Sequence, residues 1–269
     1  MVQMSLDQDW LLGIAIEAGE AIMDVYECSA DIQVESKDDA SPLTQADLAA
    51  HTVIISGLRE MDSDTPVVSE EGREGDPCDS EFSWLVDPLD GTKEFIKRNG
   101  MFTVNIALMR KKGPKWEPIF GVVHAPTTRT TWLGGVGHPA EKISDSGRAR
   151  INVNKKPATK VRLVASGSHR TYRDEEFARD IGSHDLVRMG SSLKACAVAD
   201  GSADLYPRFG PTSCWDIAAA HAVVESAGGF VMGPDCQNLD YDLVDDVLNP
   251  FFMVASSSRW NRVWYENQG

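Results

Sequence analysis

Two aspartates three residues apart, Asp87 and Asp90, are the side chains of this sequence best placed to do chemistry. They stand in Trp84-Leu85-Val86-Asp87-Pro88-Leu89-Asp90-Gly91-Thr92, where an apolar run meets a proline, two carboxylates and a glycine. Each aspartate lies beside an aliphatic residue, Val86 or Leu89, that favours burial. A buried carboxylate needs a cation or hydrogen-bond donors, and no Lys or Arg is an evident partner nearby in the sequence. Two other acidic positions share this setting. Glu70-Glu71 closes the short run Pro66-Val67-Val68-Ser69, and Asp216 falls between Trp215 and the apolar stretch 217–224. Carboxylates without His or Cys beside them make an all-oxygen donor set, which suits Mg²⁺, Mn²⁺ or Ca²⁺ rather than zinc. The amides of Gly91 and Thr92, opening a helix-compatible stretch to Arg98, offer donors to a phosphate. A hard cation beside a phosphate implies phosphoryl chemistry.

The spacing narrows that chemistry. A phosphatase with an aspartyl nucleophile shows D-x-D-G-T after a strand, where the period of two puts both carboxylates on one side. Here the spacing is one residue longer and Pro88 interrupts the ladder. Two metal ligands on a sharp turn, with water as the attacking group, fit better. An aspartyl-nucleophile phosphatase and a non-catalytic, metal-dependent nucleotide sensor stand as rival readings.

These residues must be positioned by strands and helices, and the hydrophobic pattern supplies them. Leu11, Ala15, Ala18, Ile22 and Tyr26 recur at helical spacing, predicting an amphipathic helix over 6–28. The polar stretch 29–40, with Lys37-Asp38-Asp39, reads as a loop or hairpin, and Ser41–Thr44 as a helix entry. Leu48, His51, Ile55 and Leu58 predict one face of a second helix over 44–61, with Asp47 in its first turn where the helix dipole favours an anion. Residues 66–69 read as a short strand and 73–80 as a mobile surface loop. Phe102, Val104, Ile106 and Leu108 alternate with Thr103, Asn105 and Ala107, the period of a half-buried strand. Strands follow at 119–124 and 130–133. The stretch 134–157 is rich in Gly, Ser and charge, and the boundary between two parts, 1–157 and 158–269, is expected near its end. Strand–helix alternation follows: strands at 162–165, 185–189, 204–206 and 251–255, helices at 172–181, 191–199, 215–227 and 259–265. The expected fold is an α+β first part carrying most candidate ligands and an α/β second part completing the site.

Composition bounds what the protein can be. The chain has 269 residues, 42% hydrophobic and 25% charged, ordinary for a soluble globular protein with a sizeable core. A net charge of −15 argues against a nucleic-acid polymer or an anionic membrane as main partner. It does not exclude an anionic substrate, because bound divalent cations reverse the local field. No apolar run approaches about 20 residues, so no spanning helix is expected, and the start lacks the charge and apolar pattern of a signal peptide. Five cysteines in no C-x-x-C pair suggest reduced thiols and a cytoplasmic location.

Three motifs taken together carry a resemblance covering nearly the whole chain: Ser69-Glu70-Glu71, Asp87-Pro88-Leu89-Asp90-Gly91-Thr92 and Trp215-Asp216. In this order they resemble the lithium-sensitive, Mg²⁺-dependent phosphatase superfamily of inositol monophosphatase and fructose-1,6-bisphosphatase. Within it, Gly91–Arg98, Gly190–Lys194 and Leu205–Thr212 resemble the 3′(2′),5′-bisphosphate nucleotidases, whereas inositol phosphatases usually carry G-T-x-N-F at the first of these. The resemblance implies a layered αβαβα sandwich and two or three Mg²⁺ ions. Glu70, Asp87 and the Leu89 carbonyl would hold one ion; Asp87, Asp90 and Asp216 would hold a second. Asp47 with Thr92 would orient and deprotonate the attacking water, and the Gly91 and Thr92 amides would hold the scissile phosphate. Ser192, Lys194, Arg208 and Asp216 are the candidate substrate contacts, with Arg208 suited to a second phosphate or a base. The implied reaction releases the 3′-phosphate of adenosine 3′,5′-bisphosphate, giving AMP, and a 3′-phosphosulfate nucleotide would be a second substrate. An inositol-monophosphate or sugar-phosphate phosphatase with the same metal core is the nearest alternative. A monomer or homodimer is expected, with peripheral inner-membrane association left open. His51, His221, Cys196, Cys214 and tryptophans 84, 132, 215, 260 and 264 read as packing residues.

Overall fold

The computed structural model describes residues 6–28, 34–36, 42–156, 159–166 and 171–268. The chain begins with α1 (Gln8–Cys28), β1 (Val34–Ser36), β2 (Pro42–Thr44) and α2 (Gln45–Met61). β1 and β2 pair antiparallel, so the hairpin expectation for 29–40 is met where it can be seen. Residues 29–33 and 37–41, with Lys37, Asp38 and Asp39, lie outside the described residues.

An eight-stranded sheet follows: β3 (Val67–Ser69), β4 (Gly72–Glu74), β5 (Phe82–Asp90), then after the short helix α3 (Thr92–Ile96) β6 (Thr103–Lys112), β7 (Lys115–Ala125), β8 (Thr130–Gly135), β9 (His138–Ser144) and β10 (Gly147–Arg150). Its order is β10-β9-β8-β7-β6-β5-β3-β4, antiparallel except where β3 runs parallel to β5. The second sheet contains β11 (Val161–Ser166), β12 (His184–Met189), β13 (Leu205–Arg208), β14 (Phe230–Met232) and β15 (Phe252–Ala255) in the order β12-β11-β13-β15-β14. Helices α4 (Tyr172–Asp180), α5 (Leu193–Ala199), α6 (Ala218–Ser226) and α7 (Asn261–Glu266) complete the chain.

Three buried clusters define the layers. Leu11, Ala18, Ile54 and Leu58 of α1 and α2 pack on Val104, Ile106 and Leu108 of β6. Ala107 and Met109, from the opposite face of β6, join α5 and α6 in a core shared with the second sheet. Phe177 of α4 and Trp264 of α7 close the far side of that sheet. The result is the expected αβαβα sandwich. The central α6 lies hard against the first sheet: a Cβ at Gly121 would come within 2.0 Å of the Ala219 carbonyl, so only glycine fits there.

Several local expectations need correction. β6 is buried on both faces along most of its length, not half-buried, because the α1/α2 and α5/α6 layers cover it from both sides. The buried face of α2 is Ala46, Asp47, Ala50, Ile54 and Leu58, while Leu48 is 48% exposed; small alanines take core positions that larger apolar residues were expected to fill. The stretch 73–80 is not a mobile loop. It contributes β4, paired to β3, and a 3₁₀ turn at Pro77–Asp79. The polar stretch 134–157 carries β9 and β10 as outer strands, and residue 157, the expected boundary, lies outside the described residues. The helix expected from Trp215 starts at Ala218, after a 3₁₀ turn at Cys214–Asp216. The second sheet is mixed: β11 runs parallel to β12 and β13, while β15 runs antiparallel to β13 and β14.

Candidate active site

The central acidic pair owes its geometry to a strand irregularity. On a regular strand, residues three apart point to opposite faces. Asp87 is opposite Asn105 and Asp90 is opposite Thr103, so three steps on β5 match two on β6. This β-bulge at Pro88-Leu89 returns both carboxylates to one side. β5 therefore continues through Pro88, where the sequence suggested a sharp turn. The Leu89 side chain is pinned in the core, and its N–H donates to Asp87 Oδ1 at 3.1 Å. Gly91 then adopts φ +97°, a left-handed conformation that glycine takes without strain, and turns the chain into α3.

Asp216 arrives from the other half of the molecule. Its 3₁₀ turn is closed by Ser213, whose N–H donates to Asp216 Oδ2 at 3.0 Å. Carboxylate oxygens of Asp87, Asp90 and Asp216 lie within 4.8 Å of one another. Glu70, on the β3–β4 turn, stands at the edge of this group. Its N–H donates to the Val86 carbonyl at 3.1 Å, and its charge acts on Asp87.

Burial and mutual repulsion govern these groups. Asp87 is held well above the usual carboxylate range by burial, then by the charges of Glu70, Asp90 and Asp216. Burial also pushes Asp90 and Asp216 up. The structure supplies a cation that the local sequence does not: Lys194 on α5 opposes the rise at Asp90. Burial pushes the Lys194 ammonium down to about 8, against the pull of Asp90. It rests over the Tyr206 ring at 5.4 Å and donates to the Ser191 carbonyl, so it is not a solvated helix lysine.

Asn105 and Ser192 tie the two halves together. Asp90 Oδ2 accepts from the Ser192 N–H at 2.6 Å and from Asn105 Nδ2 at 3.4 Å. Ser192 Oγ donates to the Asp216 carbonyl at 2.6 Å. Asn105 is the residue that sequence reasoning passed over. Its signal was a carboxamide inside an apolar strand, which must find partners when buried.

Asp47 does two jobs with two oxygens. Oδ2 accepts from the Thr44 N–H at 2.8 Å and from Thr44 Oγ1 at 2.6 Å, capping α2. Oδ1 accepts from Thr92 Oγ1 at 3.3 Å, and the same hydroxyl lies 3.3 Å from the Leu89 carbonyl. A cleft opens beside Asp90, Gly91 and Asp216, walled by Ser192, Lys194 and Arg208. Arg208 Nη2 donates to the Pro211 carbonyl at 2.9 Å. Every candidate site residue named from the sequence is thus gathered in this region. His221 lies elsewhere, buried against Tyr241, and His51 contacts Ser69 Oγ at 3.0 Å. Burial raises the Cys196 and Cys214 thiols, as for inert core cysteines.

Residues 7–261 match the family model described as the inositol monophosphatase family. The chain belongs to the inositol monophosphatase family. Among curated members, it is 46% identical to the 3′(2′),5′-bisphosphate nucleotidase CysQ of Escherichia coli (strain K12), over 92% of this chain and 98% of that protein. The protein of the same name from Buchnera aphidicola is 39% identical over 87% of each chain. Among solved structures of the family, the CysQ of Bacteroides thetaiotaomicron superposes with a TM-score of 0.79 at 36% identity, covering 93% of this chain and 98% of that one. SuhB from Bartonella henselae, at 24% identity and a TM-score of 0.79, shares the fold.

The donor set also fits the divalent cation expected of this family. It is all oxygen, and its carboxylates are raised first by burial and, at Asp87 and Asp216, also by the charges of their acidic neighbours. A hard dication among them restores the balance.

Proposed function

We propose that this protein is a Mg²⁺-dependent phosphatase that releases the 3′-phosphate of adenosine 3′,5′-bisphosphate, giving AMP and phosphate, and also accepts the 3′-phosphosulfate nucleotide. The observation that carries the reading is the juxtaposition of the converging carboxylates Asp87, Asp90 and Asp216 with a cleft lined by Lys194 and Arg208. One phosphate would meet the acidic cluster and its cations, and a second would meet the basic wall. An inositol monophosphate has no second phosphate to use that wall. The 46% identity to a named bisphosphate nucleotidase supports the same substrate class.

In this reading Glu70, Asp87, Asp90, Asp216 and the Leu89 carbonyl hold two or three Mg²⁺. When bound, the ions lower the pKa of water and neutralise phosphate oxygens. The chain's own groups do the rest. Thr92 Oγ1 donates to Asp47 Oδ1, which leaves its lone pairs to accept a hydrogen from the attacking water. The proton passes through the hydroxyl to Asp47, whose other oxygen is already fixed by Thr44. The Gly91 and Thr92 amides orient the scissile phosphate for in-line attack. Lys194, Arg208 and Ser192 hold the nucleotide. The residues before 157 supply most cation ligands, and those after 158 complete the site and the nucleotide pocket.

Phosphate release from adenosine 3′,5′-bisphosphate, the phosphosulfate nucleotide and inositol 1-phosphate, with and without Mg²⁺ and Li⁺, tests this reading. A strong kcat/KM preference for the bisphosphate, dependent on Mg²⁺ and inhibited by Li⁺, is expected. Comparable kcat/KM for inositol 1-phosphate would reject the nucleotide assignment. An acyl-phosphate trapped on Asp87 would replace water by aspartate as the nucleophile.

A further inference from the structure

Residues 240–250 are bonded both to the strand that follows the Glu70 turn and to the residues that precede Asp216. At one end, Tyr241 pairs with Trp116 of β7 through both backbone groups, at 2.9 and 3.0 Å. The Tyr241 hydroxyl meets His221 Nδ1 on α6 at 2.7 Å. The Leu243 carbonyl accepts from Arg73 Nη2 at 2.6 Å, and Arg73 lies on β4, directly beyond the Glu70-Glu71 turn. At the other end, the Val247 carbonyl accepts from the Cys214 N–H at 2.8 Å, and the Asn249 N–H donates to the Thr212 carbonyl at 2.9 Å. The Asn249 side chain adds bonds to the Ser213 carbonyl at 2.7 Å and to Thr212 Oγ1 at 3.1 Å. Between the ends, Asp242 Oδ1 accepts from the Val244 and Asp245 amides, and Asp246 Oδ1 from the Leu248 amide.

These bonds bear on Asp216. Its carboxylate is carried by a three-residue 3₁₀ turn, too short to hold its own direction by cooperative helix formation. The turn is held on one side by Ser192, whose Oγ donates to the Asp216 carbonyl, and on the other at residues 212–214, which the stretch 247–249 binds. The same segment is tied to the Glu70 side through Arg73. We propose that residues 240–250 form a brace setting the position of Asp216 relative to the Glu70 turn, with Asn249 and Arg73 as positioning residues for the cation site. The cation is that of the proposed function; the brace itself rests on the hydrogen bonds.

Two measurements test it. In metal-free protein, hydrogen exchange at the Cys214 and Asp216 amides is expected to quicken in Asn249→Ala while the sheets stay protected. Unchanged exchange there overturns the brace, whatever the protein's substrate. In a Mg²⁺ titration read by calorimetry and by phosphate release, Asn249→Ala is expected to weaken Mg²⁺ binding by about 10-fold or more. Saturating Mg²⁺ should restore kcat, with little change in the KM for substrate. Mg²⁺ affinity within about 2-fold of wild type would overturn the proposal on this scale. Arg73→Ala, read the same way, is expected to give a smaller weakening that Arg73→Lys partly restores, and it decides the question if Asn249→Ala does not fold. A wild-type protein that binds no Mg²⁺ would reject the proposed function, and the exchange result would still judge the brace.

Discussion

Two buried aspartate sites in this molecule have opposite electrostatics. Asp204 is wholly buried, and Arg162 forks onto it through Nε at 3.1 Å and Nη2 at 2.7 Å. The Arg162 N–H and Asn154 Nδ2 each add a bond at 2.9 Å. Those donors outweigh burial and hold its carboxyl below the usual range. Asp87 is equally closed to solvent but lies deeper and faces Glu70, Asp90 and Asp216; burial first, then those charges, push its carboxyl well up. Where a fold uses a buried carboxylate for structure, it supplies the cation itself. The four carboxylates around Asp87 outnumber Lys194 and Arg208, the cations that act on them, which leaves charge for a ligand to supply and marks the cluster as a candidate site.

The comparison can be broken in three ways. The largest effect belongs to the cluster. Asp90→Asn and Asp216→Asn are each expected to lower kcat for phosphate release by about 100-fold or more, because each removes a charge that would hold a cation. Unchanged turnover in either would move the chemistry elsewhere. In EDTA, Asp87→Asn should keep or raise the melting temperature, since it removes one of several carboxylates that repel each other; a large drop would contradict the repulsion. Asp204→Asn should do the reverse. It leaves Arg162 without its partner and is expected to cost about 3 kcal/mol in urea denaturation, with kcat of the folded protein unchanged. A cost below about 1 kcal/mol would show that the fork contributes little.

The smallest effect sharpens the contrast with a third buried group. His124 has neither an opposing charge nor a like one. It contacts Thr131 Oγ1 at 2.8 Å, and burial pushes it from 6.5 down to about 4. Its contribution is fully present above the unfolded value and is lost as pH falls toward about 4, where the unfolded chain binds a proton that the folded one refuses. Between about pH 7 and pH 5 the wild type should lose about 2 kcal/mol more than His124→Gln in urea titrations. Equal losses would mean that His124 is protonated in the folded state.

Legibility from sequence followed how local the physics was. The amphipathic period of α1, the alternation of β6 and the acidic motifs needed only near neighbours, and the expected elements largely stand there. The phase of α2 did not follow from hydrophobicity, because Ala46 and Ala50 are buried in the core while Leu48 meets solvent. The strands in 134–157 were obscured because outer strands carry the polar composition of loops, and the strand at 230–232 because three residues are too few to show a period.

The sequence by itself determined the donor types: carboxylates at 70, 87, 90 and 216, a hydroxyl at 92, and a glycine where φ is positive. It also determined the family, through motifs that each lie within a few residues. Tertiary structure decided how those donors meet. The bulge that turns Asp87 and Asp90 to one side exists only against the register of β6. Lys194 becomes the counter-charge to Asp90, and Asn105 and Ser192 become its donors, across separations that no local pattern records. Asp216 is met by the Ser192 hydroxyl and the Ser213 amide, and Ser213 in turn by Asn249. Electrostatic and hydrogen-bond energies depend on distance in space, and only the packed layers bring these side chains within reach.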